Sequence, residues 1–252
     1  MDLSGGIAGR HVLVTGASSG LGEHFARTLA GCGARLTVAA RRRDRLDELA
    51  RELADLGSPE VRPIAVDVTD PDSVRRLLDE AGAIDVLVNN AGISDGRPAL
   101  DISDELYGRV LDTNLRGPFL LATGAARAWR EAGRGGAIVN IASILGYRVT
   151  GAVAAYAASK AAILQLTSVL ALEWARYGIR VNALAPGYIA TEMNAAFFDG
   201  EAGQAMVRRI PMRRLGRPED LDGAFLLLCG DASSWMTGTC ITVDGGHLVS
   251  AL

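Results

Sequence analysis

Tyr156 and Lys160 stand four residues apart, and Lys160 is the only lysine in the chain. Of 26 basic residues, 25 are arginine. The pair falls in a run rich in Ala and Leu, free of Gly and Pro until Gly178, which predicts a helix over Ala154–Tyr177. On a helix, positions i and i+4 share a face, about 6 Å apart along the axis. An ammonium held there favours phenolate and draws the phenol below its usual pKa of about 10. A tyrosine so tuned can give and take a proton. The planar guanidinium of arginine would serve less well than a compact point charge.

A second group of residues could hold a phosphate. Thr15-Gly16-Ala17-Ser18-Ser19-Gly20-Leu21-Gly22 follows an apolar run and opens a helical one. Glycines let the backbone approach a pyrophosphate, and a helix N-terminus offers unpaired N–H groups and a positive dipole end. The spacing is G-x-x-x-G-x-G, which differs from the usual dinucleotide fingerprint. The second apolar run ends Ala39-Ala40-Arg41-Arg42-Arg43, with no acid before Asp44. An acid there would grip a ribose 2′-hydroxyl, whereas an arginine can take a 2′-phosphate bidentately. NADP(H) is therefore favoured and NAD(H) possible, with Arg41 the leading contact and Arg42 the second.

Positioning these groups requires a particular scaffold. Strand-like runs are expected at His11–Thr15, Arg35–Ala40, Val61–Val66, Ile84–Asn89, Gly136–Ala142, Ile179–Leu184 and Cys240–Val243. Helices are expected over Leu21–Gly31, Arg43–Leu56, Pro71–Ala81, Ala154–Tyr177 and Pro218–Cys229. One long helix over Asp101–Trp129 is expected to be interrupted near Gly117-Pro118. Strands that are apolar throughout imply burial on both faces. Repeated βα units imply a doubly wound parallel sheet, an α/β Rossmann-like fold in one domain of 252 residues. Residues 188–217 are less regular and form a candidate lid.

Composition excludes several functions. At net charge −3, bulk electrostatics give no case for nucleic acid. His11, His24 and His247 are scattered, and Cys32, Cys229 and Cys240 lack metal-type spacing, so no metal site is expected. The cysteines fit a reducing compartment. With no signal-like N-terminus and no apolar stretch of about 18 residues, a cytoplasmic protein with no membrane partner is expected.

Together these motifs resemble the classical short-chain dehydrogenase/reductase family, from about residue 9 to the C-terminus. The glycine turn looks like the family's cofactor turn, which assigns Gly16, Ser18, Ser19, Gly20, Leu21 and Gly22 to the dinucleotide. Asp67-Val68 matches the adenine contact, and Asn89-Asn90-Ala91-Gly92 matches the motif ending the fourth strand. Asn114, Ser143, Tyr156 and Lys160 match the catalytic positions. The resemblance implies that Tyr156 is the general acid in reduction and the general base in oxidation. Ser143 would hold the substrate oxygen, and Lys160 would tune the phenol and bind the nicotinamide ribose. Asn114 would anchor a relay water. Pro186, Gly187, Ile189 and Thr191 would meet the nicotinamide end. It also implies a homotetramer built through the Tyr156 helix, the helix before it and the last strand.

Beyond the strand ends stand Ile144, Leu145, Tyr147, Val149, Val153, Tyr188, Met193, Phe197 and Phe198. This mostly apolar set suggests a medium-sized ketone or secondary alcohol. Arg148 is expected either in solvent or on an anionic substrate group. Two other readings remain: a reductase of 3-oxoacyl thioesters on acyl carrier protein or CoA, and a dinucleotide sensor without turnover.

Overall fold

The computed structural model describes residues 6–191 and 195–250. Seven parallel strands form one sheet in the order β3-β2-β1-β4-β5-β6-β7. They are β1 (His11–Thr15), β2 (Arg35–Ala40), β3 (Val61–Ala65), β4 (Val86–Asn89), β5 (Gly136–Ile141), β6 (Ile179–Pro186) and β7 (Cys240–Val243). The helices are α1 (Gly20–Gly31), α2 (Arg43–Asp55), α3 (Pro71–Ala81), α4 (Asp104–Leu111), α5 (Gly117–Glu131), α6 (Ala154–Trp174), α7 (Ala195–Asp199), α8 (Glu201–Val207) and α9 (Asp222–Cys229). The doubly wound, Rossmann-like sheet expected from the alternating runs is the fold observed.

Alternation along each strand builds two core layers. Val12, Val14, Val86 and Val88 face one layer with Phe25, Leu46 and Phe225. Leu13 and Leu87 face the other with Leu77, Leu121 and Trp129. Each fully buried Leu or Phe contributes about 1.5–3 kcal/mol. Phe25 of α1 stacks on Phe225 of α9 with ring centroids 4.1 Å apart, which fixes the helix that follows the glycine turn. The inner strands are buried on both faces as expected, but the edges are not. Both β3 and β7 are largely part-exposed. Pro63 is tolerated in β3 because an edge strand has one side that need not donate.

The expected long helix over Asp101–Trp129 is three pieces: α4, a π-turn over Asp112–Arg116, and α5. The break precedes Gly117-Pro118 because Pro118 has no N–H to give the carbonyl of Asn114. The turn widens, and the Gly117 N–H reaches the Asp112 carbonyl, five residues back. The expected helix over Pro218–Cys229 starts as a 3-10 turn, Pro218–Leu221, before α9. Residues 188–217 hold the short helices α7 and α8, and a bridge between Ile189 and Gly216 closes the segment at its base.

One helix is more apolar than the sequence reading allowed. The helical run Ala154–Tyr177 is long and apolar enough, by length and composition, to cross a membrane. It nevertheless packs along β6 and buries Lys160, which makes it a helix of this fold.

Candidate active site

Motifs predicted from separate parts of the sequence meet along the C-terminal ends of the strands. β1 lies between β2 and β4, so the chain winds one way through β3 and returns on the other side. A crevice opens at such a reversal, and open α/β sheets bind ligands there.

The turn after β1 is built for close approach. Gly16 has φ +67° and Gly20 φ +59°. A Cβ on Gly16 would lie 2.8 Å from Ala91 Cα, and one on Gly22 2.3 Å from the Gly16 carbonyl. At Gly20 nothing lies within 4 Å of that position, so the turn faces open space there. Ser19, the N-cap of α1, makes no side-chain capping bond, which leaves the first N–H groups of the helix to an outside acceptor. These features fit a pyrophosphate. Ser18 is buried in the turn, and Leu21 packs on the core beneath it.

Thr15, not singled out from the sequence, ties this turn to the end of β4. Its hydroxyl accepts the N–H groups of Asn90 (3.1 Å) and Ala91 (3.2 Å) and donates to the Val88 carbonyl (3.2 Å). The Asn90 amide in turn donates to the carbonyls of Thr15 (3.0 Å) and Gly16 (3.3 Å). A hydroxyl at the last position of β1 was the available signal.

The two arginines after β2 sit differently. Arg42 donates to the Ser18 hydroxyl (3.0 Å), the Ser18 carbonyl (3.2 Å) and the Ser19 hydroxyl (2.9 Å), so it lies directly on the turn. Arg41 is exposed, and its charge reaches Asp67. The Asp67 carboxylate accepts the N–H (2.9 Å) and the hydroxyl (2.7 Å) of Thr69, which together with the Arg41 charge hold its pKa down. Val68 is buried, and its carbonyl would lie 2.9 Å from a Cβ on Gly117, which requires glycine there.

Asn114, Ser143, Tyr156 and Lys160 converge. Ser143 follows β5 and caps the 3-10 turn Ile144–Gly146, accepting the Leu145 N–H at 3.1 Å. Its hydroxyl faces Tyr156, on the first turn of α6, closely enough to favour phenolate. The Lys160 ammonium is buried, donates to the Ile141 carbonyl at 2.7 Å, and stands 5.5 Å from the Tyr156 ring centroid. Asn114, in the π-turn, clamps the loop after β4. Its Oδ1 accepts the Ile93 N–H at 2.8 Å, and its Nδ2 donates to the Ile93 carbonyl at 2.9 Å. A Cβ on Gly92 would lie 3.4 Å from Asn114 Oδ1 and 3.8 Å from Lys160 Nζ, in ordinary contact with both groups.

The electrostatics differ from the expected coupling. Burial pushes the Tyr156 phenol up, and the Ser143 hydrogen bond opposes that rise. Lys160 is itself pulled down to about 8 by burial. The amine stands over the face of the ring, and the Ser143 hydroxyl is the group that opposes the rise of the phenol pKa.

The predicted pocket residues divide. Tyr188 and Phe198 meet edge to face at 5.7 Å, and Tyr188 also touches the His247 ring at 5.3 Å. The Tyr188 hydroxyl is hydrogen-bonded to Thr150, while burial raises its pKa. Ile144 is buried, Leu145 and Val153 are part-buried, and Phe197 and Val149 are exposed. Tyr147 pairs with Cys240, and burial pushes the phenol up to about 12. Met193 lies outside the described residues. Arg148 has neither expected role: it donates to the His247 carbonyl and, at 2.9 Å, to the Ser250 hydroxyl, and so pins the C-terminal segment. Gly187 donates to the Val243 carbonyl at 2.9 Å, and a Cβ there would lie 2.7 Å from Asp244 Cα. Pro186 ends β6, buried Ile189 forms the bridge to Gly216, and Thr191 follows on the same segment.

Comparison with known proteins adds to this geometry. A family model described as enoyl-(acyl carrier protein) reductase matches residues 16–247. L-rhamnose 1-dehydrogenase (NAD(P)(+)) of Azotobacter vinelandii is 40% identical over 249 residues, covering 95% of this chain and 96% of that protein. Galactitol 2-dehydrogenase (L-tagatose-forming) of Cereibacter sphaeroides is 40% identical over 242 residues, 94% of each. The crystal structure of a gluconate 5-dehydrogenase from Burkholderia cenocepacia, in complex with NADP and tartrate, superposes with a TM-score of 0.93 at 36% identity and covers 100% of both chains.

Proposed function

The chain belongs to the classical short-chain dehydrogenase/reductase family, and from that premise we propose that it interconverts a carbonyl and a secondary alcohol with NADP(H), using Tyr156 to move the proton. It is an oxidoreductase of CH–OH groups that uses a nicotinamide dinucleotide. When bound, that cofactor supplies or accepts the hydride. The observation that carries the rest is the Ser143–Tyr156 hydroxyl pair at the strand ends, with the Lys160 amine behind it.

In reduction, Tyr156 Oη gives its proton to the substrate oxygen, and in oxidation it takes one. Ser143 holds the same oxygen by a hydrogen bond as charge develops on it. Lys160 contributes a positive field and a donor to the nicotinamide ribose, and Asn114 orients the relay behind it. The preference for NADP(H) rests on Arg42 across Ser18 and Ser19, on Arg41 near Asp67, and on the lack of an acid at the end of β2.

For the substrate, a small polyol or sugar-derived ketose comes first. Two observations support it: the neighbouring hydroxyls of Tyr188 and Thr150 beyond the strand ends, and the sugar and polyol dehydrogenases among the relatives. The medium-sized apolar ketone comes second, supported by Ile144, Leu145, Val153 and Phe197. An acyl thioester on a carrier protein is a third arm of the same test, and a sensor without turnover is the reading that any activity would remove.

The same proposal includes one domain with a lid over 188–217 and a cytoplasmic homotetramer. Helix α6 is apolar on all sides yet only partly buried in one copy, with Leu172 at 83% exposure, and β7 is an uncovered sheet edge. Both suit contact with further copies.

The test is a panel of polyols, ketoses, simple ketones and an acyl thioester, each with NADPH or NADP and with NADH or NAD, followed by absorbance. Turnover is expected with at least one alcohol–ketone pair and should fall by a factor of about 10² or more in Tyr156→Phe. A Tyr156→Phe enzyme of full activity would refute the proton-transfer role.

A further inference from the structure

Ser159 lies between Tyr156 and Lys160 in sequence, is fully buried, and is the one residue bonded to both Asn114 and the backbone of Tyr156. Serine is a mediocre choice inside a helix, because it loses rotamer freedom and competes for backbone groups. Its place in an alanine-rich turn of α6 therefore calls for a reason.

The donor and acceptor accounting is complete and has one direction. The Asn114 amide is clamped by both backbone groups of Ile93, its oxygen on the N–H and its nitrogen on the carbonyl, so it cannot flip. One amide N–H remains, and it goes to Ser159 Oγ at 3.1 Å. Ser159 then has one proton to give, and it gives it to the Tyr156 carbonyl at 2.7 Å. The chain of bonds runs from the loop after β4, through the π-turn, to the first turn of α6. Asn114 Oδ1 stays on the Ile93 N–H, and both it and Lys160 Nζ lie within 4 Å of the position a Gly92 Cβ would take.

We infer that Ser159 is a positioning residue for the reaction, resting on the proposed roles of Asn114 and Tyr156. It ties the turn that carries the phenol to the Asn114 amide already clamped by Ile93, so that the π-turn and the start of α6 hold one another in place. Without its hydroxyl, the second Asn114 N–H is buried with no partner, and the π-turn loses its tie to α6.

The test is kinetic, on the full-length enzyme with its best substrate. Ser159→Ala should lower kcat about tenfold, leave the KM for the dinucleotide within about twofold, and move the pH profile of kcat. Because Ser159 acts through Asn114, the same substitution in an Asn114→Ala background should cost almost nothing further. Ser159→Cys, which keeps a weak donor and acceptor, should recover part of the rate and guards against a simple packing effect. Parent-like kcat and pH profile in Ser159→Ala would overturn the inference. So would a full additional loss in the double variant, or a rate that falls only in step with the melting temperature. Full activity in Tyr156→Phe would instead overturn the underlying proton-transfer role and is read in the same assay.

Discussion

Ser143 follows β5 and Tyr156 stands in the first turn of α6, and the Ser143 hydroxyl lies close enough to the phenol to favour phenolate. The partner that stabilises phenolate is thus a residue thirteen positions away in sequence, while the lysine four positions away stands beside the ring. Removing the hydroxyl in Ser143→Ala removes the one contact that opposes the burial of Tyr156. Its phenol pKa should rise further, seen by carbon NMR of labelled tyrosine. In parallel kcat should fall by about 10²–10³, as for a lost donor to a developing oxyanion. An unchanged phenol titration would show that the bond does not act on the proton.

Lys160 predicts an alkaline signature in stability. Burial lowers its pKa to about 8, against about 10.5 unfolded. Between those values the unfolded chain binds the proton and the folded chain does not. Stability therefore rises with pH across this window and carries the full cost of the buried charge below it. The shift corresponds to about 3 kcal/mol. Urea unfolding of the parent and of Lys160→Met, without added dinucleotide and at steps from pH 7.5 to 10.5, should show the parent gaining on the variant as pH rises. Parallel curves would place the lysine in water.

Much of the scaffold was legible before any coordinates. The glycine turn, the strand-end motifs and the Tyr156 helix fall where burial and period require, since a parallel strand buried on both faces reads as an apolar run. Orientation was not legible. The sequence offers Arg41 and Arg42 equally, and only the path of the chain after β2 lays Arg42 over Ser18. The Thr15 bridge and the Ser159 link join residues 45 or more positions apart, which periodicity cannot foresee. The contact between Tyr147 and Cys240 on β7 likewise joins segments far apart in sequence.

The arginines give a cofactor prediction. Arg42→Ala removes four bonds to the turn together with a charge, and Arg41→Ala removes only a charge near Asp67. Titration by fluorescence should show NADPH affinity falling about tenfold in Arg42→Ala and less in Arg41→Ala. NADH affinity should change little in either variant. Equal affinity of the parent for NADPH and NADH would refute the 2′-phosphate assignment.

His11 predicts an acid limit that is independent of the reaction. Its ring is buried between the Ala83 carbonyl (3.1 Å) and the Thr37 hydroxyl (2.8 Å), and burial lowers its pKa below 6.5. The folded chain then binds fewer protons than the unfolded chain as pH falls through 6.5, so stability present above that value is lost below it. The melting temperature of the parent should drop faster from pH 6.5 to 5 than that of His11→Gln, which can keep both bonds uncharged. Identical slopes would show that the ring charges freely in the fold.

Two glycines of α1 give a paired test of the cofactor turn. A Cβ on Gly22 would lie 2.3 Å from the Gly16 carbonyl and 2.3 Å from the Asn90 amide nitrogen, so the turn and the end of β4 must part to admit it. On Gly31, the last residue of the helix, a Cβ meets nothing within 4 Å. Gly22→Ala should cost about 1–3 kcal/mol of stability and abolish dinucleotide binding by calorimetry. Gly31→Ala should be neutral or add up to about 1 kcal/mol, because alanine loses less backbone entropy in a helix, with binding unchanged. The same substitution nine residues apart on one helix thus separates the requirement for close approach from helix propensity. Unimpaired binding by Gly22→Ala would show that the phosphate cradle lies elsewhere.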